Sequence, residues 1–178
     1  LLRPGAPARA GEVAYIAAAL RDHHAIVLAM NGPGHVDGGD VLRLADRVLI
    51  GLSGRTDRAG AAELIGLLAQ LGLHGAIAET PPRVLHFKTG CSLIDERTIF
   101  ALPQMVDLPA FAGLTVVPVP DGETKAANKL RVNDVALIGA NFPESRAIIE
   151  GLGIKTIVLP VEQIGRIDAG LSCMSLRW

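Results

Sequence analysis

Three side chains of this sequence have the types needed for catalysis by a thiol nucleophile: Cys173, His86 and Asp37. A thiolate attacks an electrophilic carbon, an imidazole carries the proton, and a carboxylate orients the imidazole and supports its charged form. The small residues Ala-Gly-Leu-Ser at 169–172 precede the thiol and let a ligand approach the backbone. Taken one at a time, the three residues also fit a buried structural thiol, a satisfied core histidine and a turn aspartate.

The remaining candidates for chemistry favour structural roles. Cys91 lies in an apolar stretch and is predicted to fill space in a strand. The Asp-Gly-Gly-Asp run at 37–40 resembles a cation loop, but too few oxygen ligands lie nearby for calcium. No Cys-x-x-Cys or His-Glu-x-x-His spacing indicates zinc. We therefore expect neither a metal nor an organic cofactor.

A repeated pattern indicates the elements that must position these side chains. Segments 40–51, 90–101 and 128–139 each place an apolar run, a polar turn and a second apolar run in order. This pattern predicts three β-hairpins. A fourth segment, 173–178, starts in the same way and is predicted to be a lone strand at the chain end.

Helices and strands are predicted between the hairpins, which makes the repeat a hairpin, a helix and a strand of about 45 residues. The predicted helices cover residues 11–20, 58–71, 103–112 and 143–152, and the predicted strands cover residues 25–29, 75–78, 83–86, 114–119 and 155–161. Radial repetition of such units predicts a propeller-like α/β assembly. The three candidate catalytic residues fall at nearly equivalent points of different units, so in a closed ring they should converge at one end of the axis.

The same frame bears on domain organisation. Cys173 has no following hairpin partner, and the chain starts just before a helix without the hairpin that should precede it. We expect residues 1–178 to form a single α/β-propeller catalytic domain that is N-terminally incomplete.

Composition excludes several classes of partner. The 178 residues carry a formal net charge of -1 with no block of like charge, which argues against nucleic acid and anionic membranes. The longest apolar run, residues 13–20, is far short of the ~20 residues that span a bilayer. Two cysteines form no disulfide framework, and the opening residues lack the form of a signal peptide. A cytoplasmic protein, monomer or homodimer, that binds a small molecule is expected.

Several motifs together resemble the dimethylarginine dimethylaminohydrolase family. They are Arg-Pro-Gly-Ala-Pro at 3–7, Val-Asp-Gly-Gly-Asp-Val-Leu at 36–42, Gly-Leu-Ser-Gly-Arg-Thr at 51–56, Leu-His-Phe-Lys-Thr at 85–89, Ala-Ala-Asn at 126–128 and Ile-Asp-Ala-Gly-Leu-Ser-Cys-Met-Ser at 167–175. The resemblance implies the pseudo-five-fold α/β propeller of the guanidino-group-modifying, or amidinotransferase, superfamily. Here the N-terminal unit or units would be missing. It also implies hydrolysis of methylated arginine to citrulline and an amine.

The resemblance assigns roles to individual residues. Cys173 would be the nucleophile, His86 the general acid and then the general base, and Asp37 the residue that orients His86. The implied substrate-binding residues are Arg9 and Arg55, which would bind the amino acid carboxylate, and Ile167 and Asp168, which would line the substrate.

Two departures and two alternatives accompany this reading. The family's second arginine after Arg9 is Ala10 here, and its acidic segment of the Phe-Val-Glu-Asp type has no match. An arginine deiminase, which releases ammonia, is the nearest alternative. A non-catalytic ring scaffold or binding subunit is the alternative from another class.

Overall fold

The computed structural model describes residues 1–175, and the chain divides into two compact units, 1–87 and 88–178. In the first unit, β1 (Val41–Arg43) pairs antiparallel with β2 (Val48–Leu52), and β3 (Gly75–Glu79) pairs parallel with β2. The helix α2 (Arg58–Gln70) makes the crossover from β2 to β3. This is the predicted hairpin, helix and strand.

The core of the first unit lies where α2 meets the sheet. Its centre consists of five buried apolar residues from residues 30–36, β2 and α2: Met30, Val36, Ile50, Ala61 and Leu64. Asp57 caps α2 by accepting a hydrogen bond from Gly60 N at 2.7 Å. This hydrogen bond is the main cause that lowers the pKa of Asp57. An earlier helix, α1 (Glu12–His23), buries only Ala17.

The second unit contains the same arrangement of three strands twice. Its first sheet has the order β4 (Cys91–Leu93), β5 (Thr98–Ala101) and β6 (Thr115–Pro118), and its second has the order β7 (Leu130–Val132), β8 (Val135–Gly139) and β9 (Lys155–Leu159). In both sheets the first pair is antiparallel and the second is parallel.

The turns and connections of the second unit follow from particular residues. Asp95 Oδ1 accepts the N–H groups of Arg97 and Thr98 at 2.7 and 2.8 Å and so closes the β4–β5 turn. Asn133 takes φ +54° in the β7–β8 turn, a conformation that asparagine tolerates. The helix α4 (Pro143–Gly151) crosses from β8 to β9, as predicted. Two short helices remain, α3 (Phe87–Gly90) and α5 (Glu162–Gly165).

Three predicted elements are wrong, and a fourth starts differently from its prediction. Residues 103–112 form two 3-10 turns, Pro103–Met105 and Pro109–Phe111, because a proline inside this segment interrupts the helical hydrogen bonds. Residues 25–29 join no sheet; Met30 N and Leu28 O instead hydrogen-bond to the backbone of Leu1.

The other two predicted strands lie at the candidate catalytic residues. Residues 83–86 form a turn and bend, with Arg83 at φ +71°, so His86 ends no strand and instead precedes α3. Residues 171–174 also form a turn, in which Cys173 N donates to Gly170 O at 3.1 Å. The rest of the predicted strand, 176–178, lies outside the described residues. None of the helices formed by residues 1–175 is long and apolar enough to cross a membrane.

Candidate active site

Asp37 and His86 form a hydrogen-bonded pair in the first unit. His86 Nε2 lies 2.9 Å from Asp37 Oδ2, and the Asp37 side chain is only 1% exposed. With its proton on Nε2, the imidazole donates to the carboxylate and leaves Nδ1 as the acceptor. A buried carboxylate in this position fixes the orientation of the ring.

The backbone of Gly39 lies close to the side chain of His86. A Cβ added at Gly39 would lie 2.7 Å from His86 Cγ, well inside van der Waals contact. The neighbouring Gly38 has ordinary space, since its added Cβ would lie 3.8 Å from the nearest side-chain atom. The second glycine of the run is therefore required by the close approach of the ring.

Asp40 connects three segments of the first unit around this pair. Its buried carboxylate accepts hydrogen bonds from Ser53 Oγ at 2.7 Å, Thr56 Oγ1 at 2.6 Å and Phe87 N at 2.7 Å. Thr56 Oγ1 also accepts the N–H of Asp37 at 3.0 Å. The network therefore holds the backbone of both Asp37 and the residue that follows His86.

The two arginines predicted to bind substrate differ in their surroundings. Arg9 donates to Glu12 Oε2 at 2.9 Å and lies 3.6 Å from Asp37 Oδ2. The hydrogen bond with Glu12, together with the charge of Asp37, raises the pKa of Arg9. Arg55 lies in the turn after β2, where its N–H donates to Ser53 Oγ at 3.0 Å, and it forms no ion pair with any of residues 1–175.

Cys173 belongs to the second unit, where its thiol is exposed. Asn128 Nδ2 donates to Cys173 Sγ at 3.2 Å, and Asn128 Oδ1 accepts from Ser172 N and Oγ at 3.2 and 2.5 Å. Cys91, in contrast, is fully buried, and burial raises the pKa of its thiol. The exposed thiol is thus the one suited to a nucleophile.

Ile167 and Asp168 lie in the turn that follows α5. Ile167 is 72% exposed, and Asp168 has φ +55°. Lys125 Nζ lies 3.9 Å from Asp168 Oδ1 and donates to Gly165 O at 2.9 Å. Exposure on this scale leaves both predicted substrate-lining residues accessible to a ligand.

The structure thus brings together Asp37, His86 and Arg9 in the first unit, while Cys173 lies in the second. Their predicted convergence stays a prediction. The sequence analysis assigns no role to Asp40 or Asn128. Both are the first residue of a repeated segment, as Cys173 is of the fourth segment. A polar residue at the start of each segment was the sequence signal that could have identified Asp40 and Asn128 as candidate site residues. Within residues 1–175, no group of three or more His, Cys, Asp or Glu side chains could hold a metal ion.

Comparison with solved structures shows the fold. The fold is similar to the N-terminal domain of an arginine dihydrolase from cyanobacteria, at 16% identity and a TM-score of 0.85 over 99% of this chain and 69% of that one. It is also similar to an amidinotransferase from Microseira wollei, at 14% identity and a TM-score of 0.81 over 98% and 64%. This likeness confirms the predicted fold class, α/β with the repeated units of a pseudo-five-fold propeller.

Closer relatives define the family. The arginine deiminase family model matches residues 7–137. The N(G),N(G)-dimethylarginine dimethylaminohydrolase of Pseudomonas aeruginosa is 34% identical over 100% of this chain and 70% of its own length, and that of Streptomyces coelicolor is 28% identical over 99% and 67%. A solved structure of the Pseudomonas aeruginosa enzyme, a cysteine-to-serine mutant with citrulline, has a TM-score of 0.94 at 33% identity over 99% of this chain and 69% of that one. The chain belongs to the dimethylarginine dimethylaminohydrolase family.

Proposed function

We propose that this protein hydrolyses N-omega-methylated arginine, either dimethylarginine or monomethylarginine, to citrulline and dimethylamine or methylamine. The observation that carries the proposal is the buried Asp37–His86 pair at 2.9 Å in a chain of this family. A carboxylate that fixes an imidazole is of use where the imidazole must move protons. The exposed Cys173 thiol supplies the nucleophile.

In the first half-reaction, Cys173 attacks the planar guanidinium carbon as a thiolate. A C–S bond forms, the C–N bond to the methylated nitrogen breaks, and His86 gives that nitrogen a proton so that the amine leaves. A covalent thiouronium intermediate remains. The cationic substrate itself favours the thiolate, because a positive charge beside the thiol stabilises the charged form.

In the second half-reaction, water attacks the same carbon. His86 takes one proton from the water and the other passes to solvent as the C–O bond forms and the C–S bond breaks, which releases citrulline and regenerates the thiolate. Asp37 orients the imidazole in both steps and takes no proton. None of these steps requires a metal or an organic cofactor.

Arg9 and Arg55 would bind the amino acid carboxylate of the substrate. Arg55 makes no ion pair within residues 1–175, so its guanidinium is available to a carboxylate in bidentate geometry. Arg9 can do the same if the substrate carboxylate replaces Glu12, its partner at 2.9 Å. Ile167 and Asp168 would line the substrate, with Cys173 five residues beyond Asp168.

The test is to incubate the purified protein with asymmetric dimethylarginine and to quantify citrulline and dimethylamine. We expect both products in equal amounts, loss of turnover in Cys173→Ser, and retained turnover in Cys91→Ala, because Cys91 is buried in a strand. A haloamidine probe should label Cys173 and leave Cys91 unlabelled. Turnover by Cys173→Ser would remove this thiol from the mechanism, and failure to label it would favour a non-catalytic scaffold.

An arginine deiminase is the second candidate, because the arginine deiminase family model matches residues 7–137. Its chemistry is the same except that the leaving group is ammonia. Assays with unmethylated arginine separate the two functions: release of ammonia at a rate above that of dimethylamine release would favour the deiminase.

A further inference from the structure

Asn128 is a buried polar residue that contacts the candidate nucleophile. It ends the 3-10 turn Thr124–Asn128, with one residue before β7 begins, and only 8% of it is exposed. Its side chain reaches across to the turn that carries Cys173, 45 residues later in the chain. The exposed turn that carries Cys173 does not need a buried carboxamide in order to form, so the contact between Asn128 and this turn calls for a functional explanation.

The orientation of the Asn128 carboxamide is determined by its partners. Oδ1 accepts from both the N–H and the hydroxyl of Ser172, at 3.2 and 2.5 Å. The reverse orientation would point the amide N–H groups at the N–H donor of Ser172. Nδ2 therefore faces Cys173 Sγ, to which it donates at 3.2 Å.

Gly170 allows the turn to lie against this amide. A Cβ added there would lie 2.5 Å from Asn128 Cγ and 2.6 Å from Nδ2. Any side chain at residue 170 would push the carboxamide away from the sulfur. The glycine and the asparagine thus form one arrangement around the thiol.

We propose that Asn128 is a catalytic residue: its amide N–H stabilises the thiolate of Cys173 and holds the sulfur in one position. A hydrogen bond to a charged acceptor is stronger than one to a neutral acceptor, so the contact favours the thiolate over the thiol. The same donor would favour the return of the thiolate when the C–S bond breaks. The role in turnover rests on the proposed function, whereas the effect on the thiol does not.

The charged groups on the neighbouring segments do not replace this donor. Lys125 is committed to Gly165 O and lies 3.9 Å from Asp168, and Lys129 donates to Ser92 and Leu93. Arg166 is exposed after α5. A substitution at Asn128 alone removes none of these charged groups, so a difference in the pH profile reports the loss of the amide donor.

The experiment is to measure the rate at which iodoacetamide alkylates Cys173 between pH 5 and 10, by peptide mass spectrometry, which needs no substrate. Asn128→Asp keeps the shape but replaces the N–H donor with an acceptor. We expect the midpoint of its pH–rate profile to rise by about 1–2 pH units, the size expected for one hydrogen bond to a charged group. Asn141→Asp, at an exposed asparagine of the same unit, adds the same charge and should leave the midpoint unchanged.

Two further variants keep the proposal testable should Asn128→Asp not fold. Ser172→Ala removes the hydroxyl that orients Oδ1, and Gly170→Ala displaces the carboxamide, so both should raise the midpoint. Gly165→Ala is the control: no atom lies within 4 Å of a Cβ added at Gly165, so this variant should leave the midpoint unchanged.

A midpoint that is the same in the wild type and in every folded variant of this set would overturn the proposal. A raised midpoint in a protein that does not turn over dimethylarginine would support the role of Asn128 and reject the proposed function.

Discussion

Lys129 offers the most quantitative prediction, because a buried amine makes stability depend on pH. The residue is 2% exposed, its Nζ donates to Ser92 Oγ at 3.2 Å and to Leu93 O, and it lies 5.8 Å from the centroid of the Phe100 ring. It forms no ion pair with a carboxylate among residues 1–175. Burial therefore lowers the pKa of Lys129 from 10.5 to about 7.

The direction of the pH effect follows from proton binding. In the unfolded chain the amine keeps its proton up to pH 10.5, whereas in the fold it releases the proton near pH 7. Between these values the unfolded state binds more protons than the folded state. The free energy of unfolding therefore rises as the pH increases from 7 and decreases as the pH falls toward 7. The difference between the two pKa values corresponds to about 4 kcal/mol at pH 7, of which about 2 kcal/mol is recovered by pH 9.

Lys129→Met removes this titration while keeping an unbranched side chain in the core. Urea unfolding of both proteins at pH 7 and pH 9 should show that the stability difference between them changes by about 2 kcal/mol, with the variant gaining relative stability at the lower pH. Lys155→Met, at an exposed lysine on β9, is the control and should show no such change. A difference between Lys129→Met and the wild type that is the same at both pH values would refute the reasoning.

Two more substitutions test how the Asp37–His86 pair is held. Asp40→Asn should lower the free energy of unfolding by about 2–3 kcal/mol, because a buried carboxylate with three donors loses a charged acceptor; Asp46→Asn in an exposed turn should stay within about 0.5 kcal/mol. Equal losses in urea unfolding would contradict this. Gly39→Ala should lower kcat by tenfold or more by displacing the imidazole of His86, whereas Gly38→Ala should not, and matched kcat values in a citrulline assay would exclude the steric argument.

The local elements could be predicted from the sequence wherever neighbouring residues alone decide the structure. The three hairpins were predicted because each has alternating apolar residues on both sides of a polar turn. The helices α2 and α4 were predicted from apolar spacing within one segment and begin as predicted, at Arg58 and Pro143. The prolines at 103 and 109 argue against the helix predicted over 103–112. The prediction of that helix is wrong because it rests on apolar spacing alone.

Errors arose where partners are distant in the chain. Residues 25–29 have the composition of a strand, but a strand needs a sheet edge, and this segment hydrogen-bonds to Leu1 instead. The sequence also predicts a strand that ends at His86, and this prediction is wrong for the same reason. Its segment is held instead by Asp40, a side chain more than 40 residues earlier that accepts the N–H of Phe87.

By itself, the sequence determined the repeated unit and the chemical types of the candidate residues, because both depend on composition and on spacing within a few turns or strands. Only the tertiary structure decided that Asp37 is buried against His86, that Gly39 touches the ring and that Asn128 faces the sulfur of Cys173. Each of these contacts joins residues 45 or more apart in the chain. No local propensity specifies such a contact, which exists only because packing brings the two backbones together.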